Sequence, residues 1–130
     1  MPMRGIRGAT TVASDDPDLI REATCELLEA IIYQNSGLQL EDIASVFFTT
    51  TDDIASAYPA LAARQMGLDQ VPMMCAREIP VPGGLPLCIR VLIHWNTDRE
   101  QRAIKHIYLR EAVALRPDLV GSTRGPQENI

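Results

Sequence analysis

The fold class that the sequence predicts is α+β, and three observations lead to it. Helical periodicity is strong in one segment near the N-terminus and present in a second. Several short runs are rich in β-branched residues, and the joints between segments are brief and punctuated by glycine and proline. Taken in order, "MRGIRGATTV" (Met3 to Val12) predicts a first strand, with Gly5 and Gly8 permitting close backbone approach. "SDDPDLIREATCELLEAIIYQNSG" predicts the clearest helix: Ser14, Asp15 or Asp16 can cap it, Pro17 suits its first turn, and Gly37 marks its end. Leu19, Ile20, Ala23, Leu27, Ala30 and Ile31 share one face, while Arg21, Glu22, Glu26 and Glu29 lie away from it. Such a helix covers a sheet from one side.

"LEDIASVFFTTTDD" predicts a helical turn followed by a strand from Ser45 to Thr51. "IASAYPALAARQMG" predicts a second helix, with Pro59 in its first turn and Gly67 as its C-cap. "VPMMCAREI" and "LCIRVLIHW" predict a third and a fourth strand. The loop "PVPGGLP" joins them, its prolines fixing φ and its Gly-Gly pair permitting a tight reversal. "RAIKHIYLREAVALRPDL" fits neither the helical nor the strand period, and the tail "VGSTRGPQENI" is polar and loose. One domain without internal repeats accounts for the 130 residues. The strands hold few aromatics, so a single chain is expected to leave sheet edges or apolar faces for identical neighbours to cover.

Composition narrows the function classes. An apolar fraction of 46% and a charged fraction of 22% are ordinary for a soluble globular protein, and a net charge of −5 argues against a nucleic-acid partner. No apolar run approaches the roughly eighteen residues of a membrane span, and glycines and arginines interrupt the N-terminus where a signal peptide would be apolar. Cys25, Cys75 and Cys88 lack metal-ligand spacing and fit reduced thiols in a cytoplasm. The sequence carries no Gly-rich phosphate loop, no clustered metal-ligand pattern and no G-x-S-x-G elbow.

The informative residues are arginines, of which Arg7 and Arg90 interrupt strand-like runs. A guanidinium keeps its charge at any working pH and binds carboxylates through two parallel hydrogen bonds, so burying one requires a partner. For Arg90 that partner is either an anionic ligand or a protein acid such as Glu78 or a loop aspartate. Glu78 itself is either a ligand-orienting carboxylate or a solvated residue at a strand end. Cys75 is a small buried thiol or, with a base beside it, a nucleophile. Tyr108 packs with its hydroxyl satisfied or offers it to a ligand carboxylate. Arginines, one carboxylate and no evident nucleophile point to anion recognition, or to chemistry that needs only a shaped, charged pocket.

Several segments in one register, "RGIRGATTV", "YPALAARQ", "VPMMCAREIPVPGGLPLCIRV", "NTD" and "HIYLREAVALRPDL", together resemble the monofunctional chorismate mutases of the AroH class. The similarity runs from about Met3 to Leu119, giving a single domain at 1–119 and a flexible tail at 120–130. It implies a mixed sheet with helices on one side and a homotrimer forming a pseudo-α/β-barrel, with active sites between adjacent subunits. Within the segment that fits neither period, it implies a strand from Lys105 to Leu109 and a short helix from about Glu111. The implied reaction is the Claisen rearrangement of chorismate to prephenate, on the route to phenylalanine and tyrosine, with no metal or organic cofactor.

The resemblance also implies roles. Arg90 would face the ether oxygen, Arg7 and Tyr108 a substrate carboxylate, and Glu78 the ring hydroxyl, with Cys75 close by. Met74, Cys75, Ala76, Arg77 and Glu78 would form the ring-binding wall. Tyr58, Ala60, Arg64, Leu115 and Arg116 match positions near the cleft, with Arg64 and Arg116 as cations at its mouth. Leu61 departs from relatives that carry lysine there, and Met73 and Met74 from relatives with valine and threonine. Two other readings use the same arginines: a trimeric sensor of small carboxylates without turnover, and a trimer of the imine-deaminase type.

Overall fold

A computed structural model describes residues 1–115. Arg116, the end of the expected domain and the expected tail lie outside the described residues. The sheet has five strands: β1 (Met3–Thr11), β2 (Ile43–Thr50), β3 (Met73–Arg77), β4 (Cys88–Asn96) and β5 (Ile107–Tyr108). Their order is β3-β2-β4-β1-β5. β4 runs antiparallel to both β1 and β2, whereas β3 pairs with β2 and β5 with β1 in parallel, so the sheet is mixed as expected. Two helices, α1 (Pro17–Gln34) and α2 (Pro59–Gln65), pack on the core, and 3-10 turns occupy Leu40–Asp42, Gln101–Ala103 and Arg110–Leu115.

Asp16 caps α1: its carboxylate accepts from the backbone N–H of Asp18 and Leu19 at 3.0 and 3.1 Å, and Pro17 opens the first turn. The helix stops three residues before the expected Gly37, because Asn35 turns inward. Its buried amide donates to the carbonyls of Ile31 (2.9 Å) and Lys105 (3.0 Å) and accepts from the Lys105 N–H (2.9 Å). Gly37 then takes a left-handed φ of 89° in the turn that follows. The buried stripe is Ile20, Ala23, Thr24, Leu27, Leu28 and Ile31, so Thr24 and Leu28 join the expected face, with Leu19 packed at its margin and Ala30 partly exposed. Burying each of the large aliphatic residues contributes about 1.5–3 kcal/mol.

The stripe meets one face of the sheet. Along β4, Ile89, Val91, Ile93 and Trp95 are buried, and along β2, Val46, Phe48 and Thr50. These residues alternate with Arg90, Leu92 and His94, and with Ser45, Phe47 and Thr49, which point to the other face. Gly8 is where α1 lies closest to β1. A Cβ there would come within 3.0 Å of Ile31 and 3.2 Å of Leu27, so a larger residue would push the helix away. Gly5, expected to serve in the same way, has ordinary room at 3.6 Å. β5 is shorter than the expected strand from Lys105 to Leu109. Lys105 is held by Asn35, which draws the chain off the sheet edge before Ile107.

Candidate active site

Strand register assembles the first group of candidate residues. Ala76, Thr49, Arg90, Ala9 and Tyr108 form one row across β3-β2-β4-β1-β5, and Met74, Phe47, Leu92 and Arg7 form the next row across four of these strands. Paired residues point to the same side of a sheet, so Arg7, Arg90 and Tyr108 share the face that the helices leave uncovered. Glu78 joins them from just past β3, its N–H donating to Thr50 O at 2.9 Å. The Glu78 carboxylate accepts from Thr49 Oγ1 and lies 3.4 Å from Arg90 Nε. The Arg90 and Glu78 side chains are 30% and 23% exposed, a partly dry setting in which a charge pair interacts more strongly than at an open surface. Both alternatives for Arg90 thus meet here: it contacts a protein acid, on a face where a ligand could reach it.

The 3-10 turn at Arg110–Leu115 walls this face on one side. Ala112 packs on Ala9 and Cys88, with Leu85, Tyr108 and Leu115 around them. Burial pushes the Cys88 thiol up to about 11, against the pull of the nearby Arg90 guanidinium, so the thiol stays neutral and offers no nucleophile. Beyond that wall the face is apolar and open: Met74 is 63% exposed, Phe47 40% and Leu92 37%.

A second group lies elsewhere. The two-residue period of β3 turns Cys75 and Arg77 to the helix-covered side, away from Met74, Ala76 and Glu78, so the side chains of the expected Met74–Glu78 wall are shared between two faces. Cys75 and Arg77 line a cleft of about 440 Å³ together with Thr50, Ile54, Ser56 and Tyr58. Arg77 is tied to the protein through Nη1, which donates to the carbonyls of Ile54 (2.6 Å) and Thr51 (2.7 Å) and to Thr50 Oγ1 (3.2 Å). Tyr58 is largely exposed at the cleft edge, and Arg64 is exposed in the last turn of α2. Ala60 is built into the main core rather than into the cleft. Leu61 is exposed and Met73 partly buried against the core.

The sequence reading missed the residues that hold the rim of this cleft. Asp15 does not cap α1; its Oδ1 accepts from the N–H of Ala55 (3.1 Å) and Ser56 (3.0 Å). The Ser56 hydroxyl and the Ala55 N–H hold the Asp15 carboxyl below its usual value. Asp53 accepts from Thr51 Oγ1 (2.6 Å) and from the N–H of Leu87 (3.0 Å), a residue in the left-handed region at φ 51°. One local signal was available: three consecutive candidate caps precede α1, and a helix needs only one. Among the described residues, no group of three His, Cys, Asp or Glu could hold a metal ion, and no helix is long and apolar enough to cross a membrane.

Comparison with known proteins decides the family. The family profile described as chorismate mutase type I matches residues 3–119. The chain belongs to that family. It is 56% identical over 117 residues to chorismate mutase AroH of Thermus thermophilus, covering 90% of this chain and 96% of that one. It is 44% identical over 120 residues to chorismate mutase AroH of Bacillus subtilis, covering 92% and 94%. Among solved structures, a chorismate mutase from Clostridium thermocellum superposes with a TM-score of 0.83 at 48% identity, covering 85% of this chain and 98% of that one. The imine-deaminase reading is thereby replaced, and the mixed sheet with its helices is the fold of a chorismate mutase.

Proposed function

We infer that the protein is an isomerase that rearranges chorismate to prephenate in aromatic amino acid biosynthesis. The observation that carries this reading is the Arg90–Glu78–Thr49 group on the uncovered sheet face of a chain in the chorismate mutase family. The reaction is unimolecular and breaks a C–O bond while forming a C–C bond, so it needs no nucleophile, acid or base. Breaking runs ahead of making, and negative charge gathers on the ether oxygen. A cation fixed at that atom stabilises the transition state more than the ground state.

Arg90 is the residue for that position. Glu78 beside it limits how far the guanidinium swings, so little reorganisation remains when the charge develops. Glu78 accepts from the ring hydroxyl, and Arg7 and Tyr108 take a carboxylate. Together these contacts hold the substrate in a folded, chair-like shape. Tyr58, Arg64, Met73 and Cys75 belong to the opposite wall, while Met74 stands on the Arg90 face. Ala76 stands in the Arg90 row with Thr49 between them, Leu115 belongs to the wall at Ala9 and Cys88, and Arg116 is assigned to the mouth on the resemblance alone.

One chain does not bring the two groups together, because they stand on opposite sides of the β2–β3 edge. The assembly that would do so is a homotrimer in which the open face of one subunit meets the Tyr58–Cys75 rim of the next. The exposed apolar residues Met74, Phe47 and Leu92 support that reading, since such a patch marks a contact surface. A cytoplasmic setting suits the three free thiols Cys25, Cys75 and Cys88.

The test mixes purified protein with chorismate and follows the loss of its ultraviolet absorbance and the appearance of prephenate, while light scattering reports the assembly. Prephenate formed by a trimer supports the proposal. Chorismate bound and recovered unchanged would instead make the protein a carboxylate sensor.

A further inference from the structure

The outer edge of β1 is closed by an unusual set of partners. β5 covers only Gly8 and Ala9, leaving the backbone groups on either side to be met by other means. Gly5 pairs with the side-chain amide of Gln101, which accepts from its N–H at 3.0 Å and donates to its carbonyl at 2.7 Å. The Thr11 carbonyl accepts from Arg110 Nη1 at 3.3 Å. Between them, the N–H of Arg7 donates to Nδ1 of His106 at 2.9 Å. The imidazole stands where a neighbouring strand would place a carbonyl. Asn35 holds both backbone groups of Lys105 and draws the chain away from the ladder, and it is the side chain of His106 that meets the Arg7 N–H.

We propose that His106 is a positioning residue for Arg7: its Nδ1 lone pair fixes the backbone from which the Arg7 guanidinium is aimed at a substrate carboxylate. This rests on the carboxylate-binding role assigned to Arg7 above. The bond requires an acceptor at Nδ1, so the ring is neutral with its proton on Nε2. Arg7 projects from β1 onto the open face, opposite Leu92. An N–H that loses its acceptor draws water into the sheet edge, and the strand shifts toward it. The guanidinium then shifts with its Cα.

The carboxylate contact is the same in ground and transition states, so its loss raises KM and leaves kcat unchanged. The test compares His106→Asn with His106→Gln. The asparagine amide oxygen occupies the place of Nδ1, whereas the glutamine oxygen lies further out, near Nε2. The Asn variant is expected to keep the parent KM for chorismate, and the Gln variant to raise it about tenfold, the size of one lost hydrogen bond. Equal KM values for the two variants overturn the proposal.

Nitrogen-15 NMR of the unaltered protein gives a second readout that does not depend on a variant folding. A scalar coupling across Arg7 N–H···Nδ1 with the proton on Nε2 is expected, and a protonated Nδ1 without coupling overturns the proposal. Arg7→Ala measured alongside separates the two ideas. A KM that Arg7→Ala leaves unchanged overturns the carboxylate role. A KM raised by Arg7→Ala but not by His106→Gln overturns only the part given to His106.

Discussion

Arg90 and Tyr58 stand on the two sides of one sheet edge and are held by different means. Arg90 sits in the middle of β4, between two antiparallel neighbours, and the backbone ladder places it whatever its side chain is. Tyr58 ends a loop without regular structure, and that loop is fixed by side chains: Arg77 on its carbonyls, Asp15 on its N–H groups, and Asp53 tying it to the start of β4. The charge proposed to stabilise the transition state therefore rests on the backbone ladder, where aim matters most. The opposite wall rests on charged hydrogen bonds at the surface, which are weaker and depend on solution conditions. Substitutions on the ladder side should change chemistry and spare the fold, and those on the loop side should do the reverse.

The largest expected effect is at Arg90. Arg90→Ala should lower kcat by about 10²–10³-fold, or roughly 3–4 kcal/mol, as the loss of an oxyanion donor does. Circular dichroism and the assembly state should be unchanged, because the ladder needs no side chain at that position. Arg90→Lys should also be poor, since an ammonium on a different stem does not reproduce the fork geometry. An alanine variant that kept most of its turnover would remove Arg90 from the ether oxygen.

Next in size is Arg77. Arg77→Ala removes two donated hydrogen bonds from the loop and one from the end of β2, and the side chain is about half exposed, so a cost of about 1–2 kcal/mol in stability is expected. KM should rise with little change in kcat, because the cleft wall loosens while Arg90 stays in place. A fall in kcat as large as that of Arg90→Ala would mean that the two sides are not separable in this way.

What could be read from the sequence divides along the same line. The alternation Ile89, Val91, Ile93, Trp95 against Arg90, Leu92, His94 announces a strand with one buried face, and it makes Arg90 conspicuous. Period and caps likewise placed both helices. The segment from Met74 to Glu78 is legible as a strand, but which of its side chains share a face follows only from its register, since a strand sends successive side chains to opposite faces. β5, two residues long, is too short to carry a period, and only the family resemblance pointed to a strand there. Contacts such as His106 to Arg7 and Asp15 to Ser56 join residues 99 and 41 positions apart, and no local pattern announces them.

The smallest expected effect is the most specific to the loop. The carboxyl of Asp15 is held below its ordinary value of 3.8 by the Ser56 hydroxyl, the Ala55 and Ser56 N–H groups and the Arg77 charge. A group whose folded pKa is lowered contributes stability that is fully present above its unfolded value and is lost as pH falls through the folded one. Asp15→Asn keeps an acceptor oxygen but has no charge to lose. The difference in urea midpoint between parent and variant should therefore be constant from neutral pH down to about 5 and shrink below about 4. It should also shrink in high salt, because the group lies at the surface. The parallel measurement is hydrogen exchange at Ala55 and Ser56, which, relative to the intrinsic rate at each pH, should quicken in the parent over the same acid range and stay flat in the variant. Exchange that quickened equally in both would mean that the Asp15 charge does not hold the loop, and the rim would then be fixed from the Arg77 side alone.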